Sequence, residues 1–73
     1  MSKIIYSKEH KKIINRLKKA RLGAGLNQKE VAKLLGKTQS YISKIESGQC
    51  RIDIIQIKEF AKIYKKEIIF FIK

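Results

Sequence analysis

The chain has 73 residues, of which 18 are Lys or Arg and 6 are Asp or Glu, for a formal charge of +12. So short a chain makes one small domain and buries only about 60% of the surface that its unfolded form exposes. Its stability must come from a good helical core, a second copy of itself, or both. The single Cys and the single His exclude an internal disulfide and supply no zinc-binding set.

The charge points to a polyanionic partner, nucleic acid before an acidic membrane surface. Lys supplies 15 of the basic residues and Ile numbers 14, a pairing that an AT-rich genome also writes, so part of the charge is ordinary solvated surface. The N-terminal MSKIIYSKEHKK has no apolar h-region and no small-residue cleavage site. The longest apolar run, residues 68–72, is far short of the ~20 residues of a membrane span. With one lone thiol, a cytoplasmic protein without metal or cofactor is expected.

No proline interrupts the chain. In residues 7–24 the apolar positions Ile13, Ile14, Leu17, Ala20 and Ala24 form a helical stripe, with Ser7 as its cap. Asn27 opens a second helix and Glu30, three residues on, completes a capping box. Leu26 and Val31 make a hydrophobic staple, and Val31, Leu34 and Leu35 are the expected core face. Gly36 stops this helix, Thr38 caps the third, and Gly48 ends it. Asp53 caps a fourth, with Gln56 as its box partner, an Ile52/Ile57 staple, and a stripe of Ile57, Phe60, Ala61 and Tyr64. The tail EIIFFIK breaks the helical pattern and reads as a short strand or as a last core segment. The expected fold is all-α, a compact bundle of four or five helices in a single domain spanning residues 1–73.

Along residues 38–47, Ile42 and Ile45 lie on one side with Tyr41 beside them. Gln39, Ser40, Ser43, Lys44 and Ser47 lie on the other. An ordinary exposed face carries long Lys/Glu pairs; this one carries an amide, small hydroxyls and one cation. Gln pairs bidentately with adenine, Ser serves either base, and Lys reaches guanine or phosphate. Gln28 opens the second helix, where amide donors and the positive helix end favour a phosphate. Arg21 and Glu46 fall on the inner faces of the first and third helices, so they should meet, since either alone carries a large desolvation cost.

The stretch resembles the helix-turn-helix of the Xre/Cro and lambdoid phage repressor family. The matching residues are Gln28, the EVA of residues 30–32, Leu35, Gly36, the TQS of residues 38–40, Ile42, Ile45, Glu46 and Gly48. The resemblance covers residues 11–64, with the motif itself at 28–47. It implies a repressor-like bundle whose third helix enters the major groove of double-stranded DNA. It further implies phosphate contacts at Gln28 and near Ser47, and base contacts from Gln39, Ser40, Ser43 and Lys44. Members of the family also show a buried Arg–Glu bridge, matched here by Arg21 and Glu46. Lys37 departs from the small or apolar turn residue of many members; with Thr38 and Arg51 it completes the expected DNA-binding set.

His10 reads as a solvated residue of the first turn, Cys50 as semi-buried packing, and Tyr41 as half-packed on the fourth helix with its hydroxyl within reach of a phosphate. Nucleophilic catalysis needs a base beside the nucleophile and metal catalysis needs clustered ligands, so one His, one Cys and six scattered acids argue against an enzyme. The expected function is a sequence-specific transcriptional regulator, a repressor-like homodimer reading the groove with residues 38–47. The alternatives are an antitoxin or restriction–modification controller of the same fold, or a non-specific basic nucleic-acid-binding protein. The tail should sit at or beside the homodimer interface through residues 67–72, with Ile69 and Phe71 facing the partner, or pair with residues 3–6 of its own chain.

Overall fold

The structure, a computed structural model, describes residues 8–72. Five helices follow in order: α1 (Lys8–Gly23), α2 (Gln28–Leu35), α3 (Gln39–Glu46), α4 (Ile54–Tyr64) and α5 (Ile69–Ile72). Among the described residues there is no strand, and no helix is long and apolar enough to cross a membrane. The Ser7 cap and the pairing segment at residues 3–6 lie outside the described residues.

Helix starts are set locally. Asn27 Oδ1 accepts from Glu30 N and Glu30 Oε1 accepts from Asn27 N, both at 2.8 Å. Asp53 and Gln56 repeat the arrangement on α4, again at 2.8 Å each way. Thr38 Oγ1 accepts from Tyr41 N at 3.1 Å. These bonds satisfy amide donors that a helix start otherwise leaves open.

Helix ends are as regular. Leu26 N donates to Arg21 O, Lys37 N to Ala32 O, Gln49 N to Lys44 O and Lys66 N to Ala61 O, each bond reaching back five residues. Each closes over a residue in the left-handed region. At Gly36 (φ 70°) this lets the chain leave α2 and enter α3 within residues 36–38, and a bulkier residue would be strained there. On α4 the same position is Lys65 (φ 57°), where the Cβ carries a penalty that glycine lacks.

The core gathers Ile14, Leu17 and Ala20 of α1, Val31 and Ala32 of α2, and Ile42 and Ile45 of α3. Ile57, Phe60, Ala61 and Tyr64 of α4 and Phe71 of α5 complete it. Leu26 and Ile52, the outer halves of the two staples, pack against it. Phe60 and Tyr64 stack with centroids 5.9 Å apart.

Four expectations need correcting. His10 is buried, not solvated, because it stands four and seven residues before Ile14 and Leu17 and so shares their stripe. Ala24 lies past the end of α1 and is exposed. Leu34 is 61% exposed, since the buried arc of α2 runs from Val31 through Leu35 to Ala32 and Leu34 points about 110° away from its centre. Of the two readings of the tail, the strand falls and the last core segment stands: it is a turn of helix, with Phe70 N donating to Glu67 O and Phe71 N to Ile68 O.

A helical turn satisfies the tail's backbone locally and points Phe71 inward against α1 while Ile69 and Ile72 face out. Burying Phe71 is worth about 1.5–3 kcal/mol, enough to override the β preference of its neighbours. Arg16 Nη1 caps the arrangement by donating to Phe70 O at 3.0 Å. Phe71 is therefore a core residue and does not face a partner, so a charged substitution there would unfold α5 from α1.

Replacing Lys65 with Gly relieves the left-handed strain at the end of α4. The expected outcome is a gain of about 0.5–1 kcal/mol in unfolding free energy by urea titration.

Candidate nucleic-acid interface

At the centre of the candidate site is a buried ion pair. Arg21 Nε donates to Glu46 Oε2 at 2.8 Å and Nη2 to Oε1 at 3.1 Å, a two-pronged fit between guanidinium and carboxylate. The side chains are only 11% and 3% exposed. Gln28 Nε2 adds a third donor to Glu46 at 3.1 Å, and Arg21 Nη1 reaches Leu26 O at 3.0 Å. Four segments are thus tied at one point: the last turn of α1, the α1–α2 turn, the start of α2 and the end of α3. The hydrogen bond to Glu46 raises the Arg21 pKa, outweighing the opposing effect of burial. The Tyr64 hydroxyl lies nearby, and burial together with the Glu46 charge pushes its pKa well above the ordinary value.

Pinning Glu46 inward sets the roll of α3. Two residues along a helix is about 200°, so Lys44 is turned almost directly away from Glu46. Gln39, Ser40, Ser43, Lys44 and Ser47 are all exposed, while Ile42 and Ile45 are buried. The one acid of α3 is turned inside and paired, which leaves its outward face without negative charge.

The flanks are held by further contacts. Thr38 is exposed and, having accepted from Tyr41 N, keeps its own proton for another acceptor. Ser47 Oγ donates back to Lys44 O at 3.1 Å, so its hydroxyl must rotate before it can donate to a phosphate. Lys37 is exposed, with Nζ 5.4 Å from the centroid of the Tyr41 ring. Tyr41 is half-buried against α4 and its hydroxyl accepts from Gln56 Nε2 at 2.9 Å. Arg51 is exposed just before the cap of α4. Cys50 is half-buried against the core.

Gln28 departs most from the sequence expectation. Its amide is half-buried and bonded to Glu46, leaving its second N–H and the open amides at the start of α2 for any phosphate. Two links were not anticipated from sequence, Gln28 to Glu46 and Gln56 to Tyr41. The unspent amide nitrogen of Gln56, left over from the capping box, was the available signal for the second. Among the described residues no group of three His, Cys, Asp or Glu side chains is placed to hold a metal ion.

A family model described as helix-turn-helix matches residues 17–71. The chain belongs to the Xre/Cro and lambdoid repressor-type helix-turn-helix family. Searches among curated proteins and among solved structures gave no match. In this helix-turn-helix protein, α2 and α3 are the helix pair, residues 36–38 are the turn, and the chain is a DNA-binding transcription regulator.

Removing one partner of the buried pair strands the other as an unpaired charge. Glu46→Ala is expected to lower stability by about 3–5 kcal/mol. Replacing both partners with Met and Leu should recover part of that loss, a comparison that paired thermal melts of the three proteins would make directly.

Proposed function

We propose that the protein is a sequence-specific, repressor-like homodimer that lays α3 in the major groove of its operator. The observation that carries this reading is the outward face of α3. Its small polar side chains let the helix backbone approach base edges in a groove about 12 Å wide. Its single acid is buried, so nothing on that face repels phosphate. In this reading Gln39, Ser40, Ser43 and Lys44 contact bases. Gln28, Lys37, Thr38, Ser47 and Arg51 contact the backbone, and Arg21 with Glu46 holds the frame. Such a regulator works in the cytoplasm and needs no cofactor. An antitoxin or a restriction–modification controller would use the same surface.

The tail supports the dimer. Ile69, Phe70 and Ile72 are exposed side by side on α5, an apolar patch that a second copy would cover. A two-fold dimer presents two reading helices to half-sites about 34 Å apart, and one small domain alone seldom binds tightly enough for specificity.

A second reading, non-specific binding to nucleic acid, is favoured by the outer face of α1, where Lys8, Lys11, Lys12, Lys18 and Lys19 are exposed. The two separate by competition: a specific regulator keeps its operator at physiological salt in the presence of bulk DNA, and a non-specific binder does not.

Operator selected from a random duplex library allows the readout to be measured. Gln39→Ala and Lys44→Ala should each cost about 1–3 kcal/mol on that site and relax preference at one position. Gln28→Ala should weaken all sequences alike. Full affinity and unchanged preference in the Gln39 and Lys44 variants would remove α3 from the groove.

For the dimer, Ile69→Lys combined with Ile72→Lys leaves Phe71 in the core and should give a folded monomer with weak operator binding. Sedimentation of the unaltered protein as a monomer at high micromolar concentration would overturn the dimer.

A further inference from the structure

The direction of the Tyr41 hydroxyl proton is decided by a chain of hydrogen bonds that begins at the cap of α4. Asp53 N donates to Gln56 Oε1 at 2.8 Å, which commits the oxygen end of that amide. The end facing Tyr41 is then Nε2, a donor only, and it donates to the Tyr41 oxygen at 2.9 Å. Tyr41 thus accepts on its α4 side, and its own proton has to point elsewhere.

Tyr41 is half-buried, unlike Tyr64, which is enclosed in the core. On α3 it stands on the flank, apart from the outward arc of Gln39 and Ser43. Exposed cations lie beside it: Lys37, with Nζ 5.4 Å from its ring centroid, and Lys44, three residues on and so on the same side of α3. The nearby acid is Asp53, whose carboxylate accepts from Gln56 N at 2.8 Å. A flank position with cations around a donor suits a sugar–phosphate strand better than a base edge.

We propose that Tyr41 is a phosphate-binding residue, donating its hydroxyl proton to a backbone oxygen of the DNA strand beside the groove, with Gln56 as the positioning residue that turns that proton outward. The proposal rests on α3 being the groove helix. A neutral donor to phosphate carries no base information and displaces no counterion, so its loss has a signature distinct from that of Lys37, Lys44 or Arg51.

The test measures duplex binding across a salt series for the unaltered protein, Tyr41→Phe, Gln56→Glu and the double variant, with a thermal melt of each. Tyr41→Phe should lose about 3- to 10-fold in affinity on operator and unrelated duplex alike, with the salt slope unchanged and the protein still folded at the assay temperature, its melting temperature lowered only by the lost bond from Gln56. A carboxylate in place of the Gln56 amide accepts both from Asp53 N and from the Tyr41 hydroxyl, drawing the proton inward. In that background Tyr41→Phe should change affinity by less than about twofold, because the contact is already gone.

Affinity of Tyr41→Phe equal to that of the unaltered protein overturns the proposal. So does a loss of the same size in the Gln56→Glu background, since that marks a packing role. If the unaltered protein shows no preference for duplex DNA, the groove reading itself falls and takes this one with it.

Discussion

The bridge between Arg21 and Glu46 is the constraint on which the reading surface depends. A carboxylate and a guanidinium drawn from water each cost several kcal/mol, and their attraction offsets this only when the geometry is good and the remaining donors are occupied. Here three N–H groups converge on Glu46, and a third Arg21 donor is taken up by the Leu26 carbonyl. The arrangement is directional in a way that apolar packing is not. Ile42 and Ile45 tell α3 which side faces the core, but a greasy contact tolerates small rotations; a two-pronged ion pair tolerates far less. The roll of α3, and with it which side chains face outward, is therefore set by a charge that never meets solvent.

Around that point the domain wastes few backbone groups. Among the described residues, three helices begin with a side-chain cap and four end with a bond reaching back five residues. In a chain this small the core is limited, and helix ends left unsatisfied would cost it stability it does not have to spare. The same economy makes caps serve twice. Gln56 closes the box on Asp53 and with its other end steadies Tyr41, which joins the start of α4 to α3. The reading helix is thus held from behind by Glu46 and from the side by Gln56, two polar contacts from different helices.

The sequence carried the caps and stops, which act over three or four residues. The capping boxes at Asn27/Glu30 and Asp53/Gln56, the stop at Gly36 and the α4 stripe depend only on helix geometry, which is the same in any fold. The inward aim of Arg21 and Glu46 was legible for the same reason, since each follows an apolar neighbour by one helical turn. The family was legible because its motif is itself an ordered set of such local signals.

What acts between helices was decided by tertiary structure. A His on an apolar stripe looks like any polar residue of a first turn until a core closes over it, as happens at His10. Leu34 stands about 200° from Ala32 on α2, so the two cannot both be buried, and α3 packs on the Ala32 side. The tail's β-branched and aromatic residues favour a strand by local preference, yet the place left for Phe71 beside α1 makes it helical. Neither the Gln28–Glu46 bond nor the Gln56–Tyr41 bond follows from spacing, because each depends on the angle at which two helices cross. The sequence by itself determined where α2, α3 and α4 start and where glycines stop the first three helices, since those are short-range energies. Their mutual angles, and hence the Gln28–Glu46 and Gln56–Tyr41 bonds, came only from packing the whole chain.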